Sequence, residues 1–130
     1  PWIGVNLIGN WPDSASQWIW NTSGAPTAAP TNVTVRLQAQ YYNGSGANQA
    51  ATIWAGIDNS GTVYVNNAAV LTVPSWTPAS TANVTLSPGW NLITLHGVNA
   101  GAAENPAGAV FSMYVSGAVV LRSGSGWTYY

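Results

Sequence analysis

Besides tyrosine, only Asp13, Asp58, Glu104, His96, Arg36 and Arg122 have side chains able to carry charge or move a proton. A glycosidase needs two carboxylates facing one bond at a set separation. The three acids here fall at turn-rich positions whose spacing pairs none of them. A serine or cysteine hydrolase needs a nucleophile, a base and an orienting acid. His96 is the one histidine, it sits between Leu95 and Gly97 on an apolar-alternating stretch, and no Gly-x-Ser-x-Gly turn precedes it. One histidine without cysteine makes no transition-metal site. These residues argue against an enzyme. Two arginines cannot neutralise a row of phosphates, so neither nucleic acid nor an anionic membrane surface is a partner.

Aromatic and amide side chains offer a different chemistry. The chain has eight tryptophans and six tyrosines in 130 residues. A sugar ring presents an apolar C–H face and a fringe of hydroxyls, which flat aromatic rings beside amides and hydroxyls can match without charge. Trp54, on the polar-alternating side of its stretch, and Trp76, in a Pro-flanked loop, are the preferred contact candidates. Asp58, Asn59, Asn99 and Asn105 join them as candidate ligand-binding residues, with an ordinary turn-forming role as the competing reading for each. Asp58 in that role would accept hydrogen bonds from the hairpin backbone. Trp18 and Trp20, two apart, share one face, which places at least one of them in the core.

The elements that position these groups follow a period of two. Val33, Val35, Leu37, Ala39 and Tyr41 alternate with Thr34, Arg36, Gln38 and Gln40. Ile53, Ala55 and Ile57 alternate with Thr52, Trp54 and Gly56. Similar patterns run through residues 63–65, 82–86 and 109–115, and further strands are expected at 2–8, 69–73, 90–98, 118–122 and 127–130. No window shows a helical stripe. Asp58-Asn59-Ser60-Gly61 reads as a hairpin turn closed by a left-handed glycine, and Asn66-Asn67 and Ser116-Gly117 as two-residue hairpins. Residues 21–31, 43–51 and 99–108 are long loops with Glu104 as their one charge, the kind that in compact domains carries function.

Length and composition set the frame. A chain of 130 residues suits one domain, 1–130. Charged residues make up 4 % and hydrophobic ones 47 %, so it is neither disordered nor, with no apolar run near roughly 20 residues, a membrane span. A near-neutral surface has little charge repulsion to keep copies apart, which suits an assembly or a module of a larger extracellular chain. No cysteine is present, which excludes a disulfide scaffold and thiolate metal sites. Starting at Pro1 without a signal-peptide pattern, the sequence reads as a processed product or excised fragment. Asn21, Asn32, Asn43 and Asn83 open glycosylation acceptor sequences.

Taken in order, Trp18-Ile19-Trp20, the Ile-Asp-Asn-Ser-Gly-Thr-Val-Tyr-Val-Asn stretch of 57–66, Gly-Trp-Asn-Leu-Ile at 89–93, Asn-Pro-Ala-Gly at 105–108, Gly117 and Trp127 form a pattern. It resembles the galactose-binding-like jelly-roll modules of microbial adhesins and of phage tail or receptor-binding proteins. The segment from Asp58 is also similar to the central hairpin of protective-antigen-type sugar-binding domains. The resemblance implies an all-β fold, a jelly-roll β-sandwich of about eight to ten antiparallel strands. It also implies glycan binding and, in the adhesin branch, a calcium ion on two adjacent acids. That pair reads Asp58-Asn59 here, leaving Asp58 as the one metal-ligating candidate for an ion that prefers several anionic oxygens. No other cofactor is expected.

The resulting expectation is a non-enzymatic attachment module outside the cell, on an adhesin, a pilus or a virion. It would recognise neutral carbohydrate, a glycan or cell-surface polysaccharide, through loops at one end of the sandwich. The alternative is a structural subunit or decoration domain that packs through apolar faces against copies of itself or a host assembly. Exposed aromatics lining a concavity favour the first, and a flat apolar patch favours the second.

Overall fold

The computed structural model describes residues 8–22, 25 and 27–129. Among these no helix forms, and the alternating stretches become strands in two layers. In β1 (Thr34–Asn43), Val35, Leu37 and Ala39 are buried while Thr34, Arg36, Gln40 and Tyr42 face outward. β1 lies in a five-stranded sheet ordered β4 (Ala68–Val73), β3 (Ser60–Val65), β6 (Gly89–Val98), β1, β9 (Thr128–Tyr129). The second sheet runs β5 (Ser80–Leu86), β2 (Gln49–Asp58), β7 (Gly108–Val115), β8 (Ala118–Arg122). All pairings are antiparallel. The all-β jelly-roll sandwich expected from the pattern is the fold observed. Leu37, Ile53, Ile57, Ile93, Leu95 and Phe111 fill the space between the sheets.

Two of the three expected hairpins form. Asn66 and Asn67 (φ 51° and 68°) turn β3 into β4, and Ser116 and Gly117 (φ 50° and 80°) turn β7 into β8. Positive φ at both turn residues matches the right-handed twist of the flanking strands. The third is corrected. β2 and β3 lie in different sheets, so Asn59 is a corner joining the two layers. Gly61 has no positive φ. It is needed because a Cβ there would overlap the His96 carbonyl oxygen and reach 2.6 Å from Ile57 Cδ1.

β7 is buried from Gly108 to Met113, more than a sheet open to water on one side allows. The reason is the segment before β1. The strand expected at 2–8 lies outside the described residues except Ile8, which is not in a strand. Trp18-Ile19-Trp20 makes only an isolated bridge, Ile19 to Ala109. Residues 8–18 act as a strap over the outer face of the second sheet, and Trp20 turns inward to the core. Ile8 packs there with Ala79 and Val110, and half-buried Trp11, Trp18, Trp54 and Trp76 surround them. Asn10 exchanges two hydrogen bonds with the Ala79 backbone (2.9 and 3.3 Å).

Asp13 pins this strap. Its buried carboxylate receives Arg122 Nε (2.9 Å) and a second guanidinium nitrogen (3.3 Å), Ser16 Oγ (2.8 Å) and Ala15 N (3.2 Å). Burial alone would raise the Asp13 pKa, but Arg122, Ser16 and the Ala15 amide outweigh it and hold it below the ordinary value. A lowered folded pKa contributes stability above the unfolded pKa and loses it as pH falls through the folded one. The pair therefore stabilises at neutral pH and fades below about pH 4. Because Arg122 is 46 % exposed, Arg122→Ala is expected to cost about 1–2 kcal/mol at pH 7, less than a fully buried pair. That deficit should shrink towards pH 3 in urea melts; an unchanged deficit would mean that Arg122 contributes packing and not charge.

Candidate functional site

The sandwich has two ends. At one end lie the β2–β3 corner, the β4–β5 loop with Trp76, the loop at 99–107 and the chain entering β1. Asp58, Asn59, Asn99 and Asn105 thus do come together. Most of their polar atoms are already engaged. Asn99 is fully buried, and its Nδ2 donates to the carbonyls of Ala29, Pro30 and Asn105 (3.1, 3.4 and 3.1 Å). Asn105 Nδ2 donates to the Ala100 and Ala103 carbonyls, and Asn105 pairs with Ala29 through the backbone. Asn59 Oδ1 accepts from Ala100 N at 2.6 Å. These amides tie the two loops together, the turn-forming role that competed with ligand contact.

Asp58 differs from its neighbours. The expected hairpin-backbone bonds to its carboxylate do not form, and burial raises its pKa. As a calcium site the cluster falls short. Among the described residues no group of three or more His, Asp or Glu stands together, and the neighbouring amide oxygen already accepts from Ala100. One carboxylate does not fit an ion that takes six to eight oxygens, roughly, with net negative charge.

Trp54 and Trp76 are not at a free rim. Trp76 meets Trp18 edge-on (centroids 6.4 Å apart, planes at 66°). Its backbone lies so close to β2 that a Cβ on Gly56 would come within 2.7 Å of the Trp76 carbonyl. Trp54 stands on the outer face of β2, away from the loop cluster, and packs against the buried Ile8, Ala79 and Val110.

A deeper concavity lies elsewhere, at the side of the sandwich where the strap and the chain after β8 meet β1 and β7. This cleft, about 710 Å³, is walled by Trp18, Trp20, Trp127 and Tyr129, with Gln17 and Ser125 among its polar lining. No Asp, Glu, Arg or His lines it. Each wall residue is fixed by something nameable. Trp20 is nearly buried, and Gly97 makes room for it, since a Cβ there would lie 2.7 Å from the indole. Trp127 leans edge-on against Phe111 (5.4 Å, 61°), and its Nε1 donates to the Arg122 carbonyl at 2.9 Å. Tyr129 pairs with Leu37 through β9 and stays 59 % exposed. Its volume falls within the roughly 300–1,000 Å³ of small-ligand sites. Sequence reasoning read Trp18, Trp20 and Trp127 as strand residues, and only the spare aromatic count hinted at a wall.

Among the described residues the other exposed large aromatics lie on the outer face of the five-stranded sheet, where Tyr42 and Trp90 meet edge-on at 5.2 Å. Tyr64 stacks obliquely on His96 there (4.5 Å). Burial, then the Arg36 charge, lowers the His96 pKa, so the imidazole is neutral at neutral pH.

Similarity to solved structures runs along most of the chain. A lectin of Pleurotus ostreatus in complex with GalNAc matches with TM-score 0.76 and 27 % identity, over 88 % of this chain and 36 % of that one. Its apo form matches at 0.74 and 26 %, over 88 % and 35 %. An α-L-rhamnosidase of Streptomyces avermitilis, complexed with L-rhamnose, matches at 0.72 and 21 %, over 88 % and 12 %, and bears on fold alone. This chain spans about a third of the lectin chains. No family model matches the sequence, and no curated protein does. The architecture is that of a galactose-binding-like jelly-roll module.

Proposed function

We propose that this chain is a non-enzymatic carbohydrate-binding module that takes a neutral glycan in the cleft walled by Trp18, Trp20, Trp127 and Tyr129. The observation that carries it is the cleft itself: aromatic faces and uncharged polar groups around about 710 Å³, held rigid by the core on one side. Stacking of a sugar's C–H face on a ring, with hydroxyls bonded to amide and hydroxyl groups, needs no more. The likeness to a lectin solved with GalNAc supports it and makes galactose-type sugars the first probes. The dispersal of the carboxylates supports a binding role over hydrolysis. Asp13 is held by Arg122, Asp58 tops β2, Glu104 is exposed in its loop, and none lines the cleft. An extracellular setting, as a glycan-attachment part of a longer chain, belongs to the same proposal.

The test is a glycan array with and without a calcium chelator, followed by titration of the hits. Tyr129→Ala is expected to weaken binding about tenfold, near 1.4 kcal/mol, without moving the unfolding midpoint, because the ring is exposed. Chelation should leave binding unchanged, and loss in chelator would make Asp58 a metal ligand after all. The Tyr42–Trp90 patch favours a second reading, packing against a like or host surface. Absence of any hit together with a defined oligomer in solution would replace the first reading by that one.

A further inference from the structure

The outer face of the four-stranded sheet holds a second concavity, of about 550 Å³, which shares no lining residue with the cleft. We propose that it is an independent second site for neutral carbohydrate, with Trp54 as its stacking surface and Asn83, Thr52 and Tyr114 as its hydrogen-bonding row. The inference rests on the carbohydrate-binding reading and extends it to two sites on different sides of one module.

Register builds the row. Asn83 on β5 stands opposite Thr52 on β2, and Thr52 stands opposite Tyr114 on β7. Three adjacent strands thus present three polar side chains in line, over about 10 Å at roughly 4.8 Å per strand, a reach suited to one or two sugar rings. Trp54 follows Thr52 by two residues and shares its face. Its other side packs against the buried cluster of Ile8, Ala79 and Val110, so less ring freedom remains to be lost on binding.

The row offers a ligand both donors and an acceptor, since Thr52 Oγ1 spends its one hydrogen within the row. Thr52 Oγ1 donates to Asn83 Oδ1 at 3.1 Å. Among the described residues Asn83 Nδ2 has no acceptor. Both N–H bonds are left for a ligand oxygen. Burial, reinforced by the charge of Asp13, raises the Tyr114 pKa, so its phenol stays a neutral hydroxyl. Neither a carboxylate nor a guanidinium lines the depression, which disfavours a charged ligand. An apolar protein segment laid here would leave the row unpaired, at a cost that sugar hydroxyls avoid.

The experiment is an NMR titration of the intact chain with N-acetylgalactosamine, methyl galactoside and methyl rhamnoside, following the assigned indole N–H signals of Trp54 and Trp127. The expected result is two saturating sets of shifts with separate affinities. Trp54→Ala should abolish the first set and leave the Trp127 set. Since Trp54 also packs on the strap, Asn83→Ala, an exposed change, provides a second reading, with an expected tenfold or greater loss at the Trp54 set alone. Shifts confined to Trp127 would overturn the second site and leave the cleft. Shifts confined to Trp54 would support the second site and overturn the cleft. No shift with any of the three sugars would overturn both.

Discussion

Gly61→Ala is expected to destabilise the fold by about 3 kcal/mol, the upper end for forcing extra volume into a packed interior. The added Cβ meets the His96 carbonyl oxygen, which belongs to the backbone of β6, and comes within 2.6 Å of Ile57 Cδ1. Neither neighbour yields easily. β6 is locked between β1 and β3 by pairing along both sides, and Ile57 is fully buried. A helpful contrast is Gly117, whose φ of 80° strains alanine but whose Cβ meets nothing within 4 Å. That substitution should cost only about 1–2 kcal/mol, the left-handed penalty. Urea midpoints of the two variants decide the matter. A Gly61→Ala variant more stable than Gly117→Ala would mean that the sheets separate freely at this corner.

Gly61 also marks where the sequence stops being legible. Period-two alternation identifies strands because it depends only on which face is buried, and β1, β4, β6, β7 and β8 emerge from it within a residue or two, whereas β2 begins at Gln49, inside the loop expected at 43–51. It carries no information on which sheet a strand joins. Asp58-Asn59-Ser60-Gly61 has hairpin chemistry, yet tertiary packing sends β2 and β3 into opposite layers. Asn66-Asn67 and Ser116-Gly117 are legible because positive φ at both positions is itself the local cause of the hairpin.

The site is less legible than the fold, for a related reason. The type of a side chain says what it can bond, and its neighbours in space say whether that bond is already made. Asn99 and Asn105 sit in loops that suggest ligand contact, but their amides close the loops on one another. Asn91 attracted no notice in the sequence. It is buried and satisfied four times over, accepting from Ser87 N and Asn66 Nδ2 and donating to the carbonyls of Ser87 and Gly89. The tryptophans divide by the strap, whose path no periodicity announces. Trp54 keeps one open side, as its polar-alternating position suggested, whereas Trp76 is drawn against Trp18.

Phe111→Ala is expected to have the largest effect of any single truncation, about 3–5 kcal/mol, and to damage the cleft beyond that loss. Phe111 is fully buried at the centre of β7. Its carbonyl accepts from Ser123 N, and its N–H donates to Ser123 Oγ at 2.9 Å. The ring is the surface on which Trp127 leans. Without it, Trp127 keeps its Nε1 bond to Arg122 but loses the contact that sets its plane, so that wall of the cleft becomes mobile. Against a total stability of about 5–15 kcal/mol the alanine variant is marginal, so Phe111→Leu separates the two effects. It fills most of the volume and should cost less than about 2 kcal/mol, yet still weaken sugar affinity several-fold. Leu86→Ala is the control. Leu86 is equally buried, at the far end of β5, and its loss of about 2–5 kcal/mol should leave affinity unchanged well below its melting temperature. If the Leu86 and Phe111 variants lose affinity in proportion to stability, Phe111 supports the cleft only by keeping the chain folded. If Phe111→Leu alone loses affinity, the Phe111–Trp127 contact is what transmits the core's rigidity to the binding wall.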